Sequence, residues 1–112
     1  LAAYATICMD SLELGTREKP YGIRYRYLSA LKLAQPGVHR SFQGQGLGRL
    51  VVGDVIAFAI NHSEEIGCRY VSLDAQPDLM DWYRAQGFKV NKLMKRSPHT
   101  VSMRFDLGIA PL

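Results

Sequence analysis

The chain holds 112 residues, 47% of them apolar and 10% aromatic, with 14 basic against 10 acidic side chains. That is the content of one globular domain with a core of its own, and it excludes an intrinsically disordered chain. The longest apolar stretch, residues 50–60, is interrupted by Gly53 and Asp54. It falls well short of the roughly 20 residues that a bilayer crossing needs, so no membrane contact is expected.

Residues 1–9 lack the charged start and cleavage site of a signal peptide. The chain also opens on Leu1 rather than Met. The expectation is a cytoplasmic protein forming one domain over residues 1–112, itself a fragment of a longer domain. A net charge of +4 favours anionic ligands without choosing among them. Cys8 and Cys68 stand far apart, and His39, His62 and His99 are scattered, so zinc-ligand spacing is absent and no metal is expected. The two thiols read as buried cysteines of a reducing compartment, with a disulfide between them as the lesser alternative.

Residues 3–14 mix β-formers with partial alternation and predict a strand. A loop follows over 15–22. From Tyr21 the pattern alternates, with Ile23, Tyr25 and Tyr27 on the inward face and Arg24 and Arg26 on the other. This second strand runs on through Leu33 until Pro36-Gly37, a pair that implies a bulge or a splayed edge. Beyond Val38 three glycines, Gly44, Gly46 and Gly48, precede a long apolar run at helical spacing. That helix should start near Gly46 and end by Gly67, a good left-handed cap. Its apolar residues, Leu50, Val51, Val52, Val55, Ile56, Phe58 and Ile60, wrap much of the circumference, which predicts burial on more than one side. A strand over 70–74 comes next. Pro77 then opens a second helix that Gly87 closes. Residues 89–93 and 100–107 read as two last strands, with Val101, Met103, Phe105 and Leu107 inward. The order is that of a mixed α/β sandwich.

The segment Gln43-Gly44-Gln45-Gly46-Leu47-Gly48, between a strand and a helix, is an anion cradle. Glycines admit close backbone approach, and the free N–H groups and dipole of the first helical turn favour a phosphate or pyrophosphate. Spacing excludes the two familiar nucleotide loops. A P-loop needs Lys-Ser/Thr after its last glycine, where this chain has Arg49-Leu50, and a GxGxxG loop finds Arg49 in place of its third glycine.

Gln43, Gly46 and Gly48 match the signature of the GNAT superfamily of acetyl-CoA-dependent N-acetyltransferases, which the chain resembles over about residues 28–107. The resemblance is carried further by the strand ending at Val38, a helix ending in EEIGCRY, the strand VSLDA and then WYRAQGF, in which Tyr83 stands four residues before Gly87-Phe88. It implies an α+β fold, a mixed and mainly antiparallel sheet flanked by helices, lacking the family's usual N-terminal strand and helices. It also implies direct attack of a primary amine on acetyl-CoA in a ternary complex. On this chain, backbone N–H groups of Gln43, Gly44, Gln45, Gly46, Leu47, Gly48 and Arg49 would hold the CoA pyrophosphate. Val38 would pair with the pantetheine arm and polarise the acetyl carbonyl, and Tyr83 would protonate the leaving thiolate. On its helix alone, Tyr83 reads first as core, and the resemblance is what turns the reading to function. No carboxylate lies between Leu28 and Val38 to serve as base, which leaves water, Asp74 or Asp78. The Asn that members often carry near residues 76–78 is missing.

The acceptor is left open by the sequence: a small amine, a protein amine or an aminoacyl-tRNA. The last follows from similarity of residues 32–52 to toxin-type acetyltransferases that act on aminoacyl-tRNA. A non-catalytic CoA- or nucleotide-binding module on the same fold is the competing reading, and a basic RNA-binding domain a third. The apolar central helix and open sheet edges make a homodimer a further expectation.

Overall fold

A computed structural model describes residues 3–15, 17–19, 27–38, 47–93 and 98–108 of the chain. Strand β1 (Ala3–Glu13) is followed by β2 (Tyr27–Val38), helix α1 (Leu47–Ile66) and β3 (Tyr70–Ala75). A 3-10 turn (Pro77–Leu79) then leads into helix α2 (Met80–Ala85), β4 (Lys89–Val90) and β5 (Val101–Asp106). The five strands form one sheet in the order β1-β2-β3-β5-β4. Only β2 and β3 run parallel, joined by the crossover helix α1; the other pairs are antiparallel. This is the mixed, mainly antiparallel α+β architecture expected. No helix of the described residues is long and apolar enough to cross a membrane.

Helix α1 lies on one face of the sheet. Val52, Val55, Ala59 and Ser63, spaced three and four apart, form its buried stripe. They pack with Leu31, Leu33, Val71, Leu73 and Met103, which the strand alternation brings to that face. The expectation of burial on several sides is corrected here, because Leu50 is 61% exposed and Phe58 and Ile60 are exposed as well. No second element covers the outer face of α1 among the described residues. Gly67 takes φ +65° directly after the helix, the left-handed cap that the glycine signalled.

The opposite face carries a small apolar cluster, Leu12, Leu14, Ala30 and Tyr70, and a buried polar knot. Arg104 Nη1 donates to Glu18 Oε2 (3.1 Å), the Val90 carbonyl (3.1 Å) and Asn91 Oδ1 (2.9 Å). Glu18 also accepts the Gly15 and Lys92 N–H groups. The segment after β1 is thereby tied to β4 and β5 at the far edge of the sheet. A buried guanidinium is tolerable only when paired in this way. Strand β4 ends at Val90 rather than reaching residue 93, although Asn91 still donates its main-chain N–H to the Ser102 carbonyl at 2.9 Å and its side-chain amide to the Ser102 hydroxyl at 3.0 Å.

Two further expectations are corrected. Cys8 is exposed on the edge strand, and only Cys68 is buried; both are free thiols. Tyr27 is exposed rather than inward, and the rest of the 21–26 alternation lies outside the described residues.

Candidate functional site

The parallel pair is short. Ala30, Leu31 and Lys32 register with Tyr70, Val71 and Ser72, and there the ladder between β2 and β3 ends. Both strands continue, β2 through residues 33–38 and β3 through residues 73–75, without pairing to each other. The cause lies on the other side of β2. Thr6 of β1 faces Ala34 and Tyr4 faces Gly37, so Gln35 and Pro36 oppose Ala5 alone. That is a β-bulge, and Pro36, which has no N–H to give a ladder, sits inside it. A bulge bends its strand and raises the local twist. Here β2 keeps its pairing with β1 and leaves β3. A cleft opens between two parallel strands at their C-terminal ends, edged by main-chain groups that the ladder no longer uses.

Chain connectivity assembles the remaining parts at this end of the sheet. Val38 is the last residue of β2. Leu47, Gly48 and Arg49 form the first turn of α1, whose N–H groups have no helical acceptor. No acidic side chain stands in that turn, so the positive end of the helix dipole is not neutralised from within. Gln43, Gly44, Gln45 and Gly46 lie outside the described residues. Helix α2 leaves the end of β3, with Pro77 starting the turn before it. Gly87, at φ +104°, follows it; a Cβ there would come within 2.7 Å of the Phe105 ring, so the site admits glycine alone without rearrangement.

Tyr83 on α2 is only 7% exposed. Its ring meets Trp82 edge-on at 5.0 Å and Phe88 at 5.7 Å, and it joins the core cluster under α1. Its hydroxyl has no hydrogen-bond partner among the described residues, yet no fully buried side-chain polar atom there lacks one. The hydroxyl therefore reaches the surface while the ring is packed. Burial pushes its pKa above the ordinary tyrosine value, which keeps the phenol protonated through the neutral range.

On the face opposite α1, Lys32 Nζ stands 2.8 Å from Asp74 Oδ2, across the point where the two strands part. Ser72 donates its hydroxyl to Asp10 Oδ2 at 2.9 Å beside it. The sequence offers Asp74 as a candidate base and gives Lys32 no role. The signal for it was a lysine between Leu31 and Leu33, which puts a cation on the polar side of a central strand.

The fold agrees with what the comparisons find. The model of the Acetyltransferase (GNAT) family matches residues 25–88, more than half of the chain, and the chain belongs to that family. Among solved structures, one described only as a bacterial toxin superposes with a TM-score of 0.81 at 19% identity, covering 95% of this chain and 60% of its own. AtaT complexed with acetyl-methionyl-tRNAfMet gives 0.79 at 20% identity, covering 94% of this chain and 62% of its own. AtaTR bound with AcCoA gives 0.72 at 23% identity, with 95% and 62% covered. This chain thus spans about three fifths of their length, and at such identities the likeness carries the fold. No curated protein matches the chain.

Proposed function

We propose that this chain is an acetyl-CoA-dependent N-acetyltransferase domain, with the co-substrate arm lying in the cleft between β2 and β3. The observation that carries the reading is that cleft. Two parallel strands stop pairing after Lys32 and Ser72, and the glycine-flanked start of α1 follows the end of one of them. Among the described residues, 33–38 have no strand partner on the β3 side, so their main-chain groups there can continue a β-like pairing with an extended amide-bearing chain. The fit is thus a property of the backbone, as a pantetheine arm requires.

When bound, acetyl-CoA supplies an activated acetyl thioester to a primary amine. The chain's own residues supply position and protons. N–H groups of Gln43, Gly44, Gln45, Gly46, Leu47, Gly48 and Arg49 hold the pyrophosphate, aided by the helix dipole. The Val38 N–H donates to the acetyl carbonyl and stabilises negative charge as the amine attacks. Tyr83, protonated and accessible at its hydroxyl, donates a proton to the departing sulfur. The solved complex of AtaT with acetyl-methionyl-tRNAfMet makes aminoacyl-tRNA the first acceptor to test, ahead of small or protein amines.

One second reading is a non-catalytic CoA-binding module on the same fold, since no carboxylate lies between Leu28 and Val38 to serve as base. Thiol release from acetyl-CoA in the presence of methionyl-tRNA separates the two. Acceptor-dependent release is expected, and Tyr83→Phe should lower its kcat about 100-fold or more while acetyl-CoA affinity is unchanged. An unchanged kcat in Tyr83→Phe removes the acid role, and binding without turnover on any amine establishes the module.

A further inference from the structure

A cavity of about 230 Å³ opens beside the Arg104–Glu18 knot, at the other end of the sheet from the cleft. Its wall residue Asp106 registers with Tyr70, where β3 begins, whereas the cleft opens beyond Ser72. Glu18, Gly87, Lys89, Arg104 and Phe105 complete the lining. Gly87 adds no side chain to it, and Phe105 is its apolar member. Hydrogen-bonding capacity here is spent on the acceptor side and unspent on the donor side. Glu18 Oε1 accepts the Gly15 N–H, and its Oε2 accepts the Lys92 N–H and Arg104 Nη1. Asp106 accepts Nε and Nη2 of Arg69 and the Gly108 N–H. Both carboxylates are therefore engaged, each with a cation of its own.

The cations of the lining are not used up. Every hydrogen bond of the Arg104 side chain leaves from Nη1. Its Nε and Nη2 have no acceptor among the described residues, yet no fully buried side-chain nitrogen there lacks one. Those two nitrogens therefore keep open surface on a side chain that is only 10% exposed, and the opening that Arg104 lines is this cavity. Together they form the guanidinium edge that gives two parallel N–H bonds to one carboxylate. Lys89, the register partner of Arg104 on β4, is exposed and has no ion pair among the described residues. Like charges directly opposite each other across a ladder repel. Glu18 offsets one of the two and leaves the other.

We propose that this cavity binds a small organic carboxylate, held by the Nε–Nη2 edge of Arg104 and the Lys89 ammonium with its body against Phe105. The volume is well above that of one water, about 30 Å³, and below the roughly 300–1,000 Å³ of drug-sized sites. The ligand is therefore a compact acid. Arg104 ties the segment after β1 to β4 and β5, so an anion seated between Arg104 and Lys89 stabilises that edge of the sheet by mass action. The site is separate from the proposed cleft and does not depend on the acetyl-CoA reading.

The test titrates sodium benzoate into the nitrogen-15-labelled whole chain at constant ionic strength and follows the amide and arginine Nε–H signals by NMR. Saturable shifts are expected at the amides of Gly87, Lys89 and Phe105 and at the Arg104 Nε–H, with none at Gly48 or Arg49. Benzamide, the same body without the charge, should give no saturable shift. Inorganic phosphate, which has no body to set against Phe105, should bind at least about 5-fold more weakly. Lys89→Gln is an exposed change that leaves the knot intact. It should weaken benzoate about 10-fold without lowering the thermal midpoint of the free chain. The proposal is overturned by the absence of saturable shifts at these groups, or by unchanged benzoate affinity in Lys89→Gln. Benzamide or phosphate binding as tightly as benzoate overturns it too. So do shifts confined to Gly48 and Arg49, which would send the anion to the start of α1 instead. None of these results bears on the acetyl-CoA reading, since no acetyl-CoA is present.

Discussion

Tyr83 and Tyr70 both hold their phenolic protons more tightly than a tyrosine in water. For Tyr83 the cause is burial; for Tyr70 it is burial and then the Asp106 carboxylate, opposed in part by Arg69 and Arg104. Burial raises the Cys68 thiol in the same way. A group whose folded pKa lies above its unfolded value keeps its proton longer in the folded chain. Its stabilising share is complete below the unfolded pKa and is lost as pH climbs through the folded one. The unfolded values are about 8.5 for a thiol and about 10 for a phenol. The urea midpoint of unfolding should therefore be level near neutrality, decline first as Cys68 titrates and decline further above about pH 10. Tyr83→Phe should flatten the upper part of that decline relative to wild type. Parallel curves for the two chains would show that Tyr83 titrates alike folded and unfolded.

At the scale of elements, the order of strands and helices was legible because its punctuation has mechanical causes. Gly67 and Gly87 adopt the left-handed backbone that ends a helix, Pro77 starts a turn where its missing N–H costs nothing, and Pro36 falls in a bulge. The bulge is the part of the site that the sequence disclosed best, since the cleft follows from it. What stayed hidden depends on neighbours. Hydropathy marked Leu50, Phe58 and Ile60 as core, but a residue's own character does not say whether another element stands opposite it. Cys8 was misplaced for the same reason, since an apolar-leaning strand reads alike at the centre and at the edge of a sheet. The Lys32–Asp74 pair joins residues 42 apart, a contact that only the parallel register creates. The two faces of α1 make this testable. Leu50→Lys and Ile60→Lys should change unfolding free energy by less than about 0.5 kcal/mol, whereas Val52→Ala on the buried stripe should cost about 1–3 kcal/mol. A large loss from Leu50→Lys in a monomeric chain would mean that the outer face is covered.

For the molecule as a whole, the site is built by topology more than by any one side chain. A single parallel pair sits within an otherwise antiparallel sheet, the bulge splits that pair, and the two helices start from the ends of its strands. Open α/β sheets likewise place ligands outside the carboxyl ends of their strands. The core on the α1 face and the Arg104–Glu18 knot on the other hold the cleft's two walls in one body. This chain, at about three fifths of the length of its structural neighbours, should therefore suffice to bind the co-substrate. Titration calorimetry of acetyl-CoA into the chain, beside a Gly46→Glu variant that places a carboxylate in the anion cradle, measures this directly. Micromolar binding to the wild type that Gly46→Glu abolishes is the predicted result. A folded wild-type chain that gives no heat of binding, or a Gly46→Glu chain that binds as tightly, would contradict it.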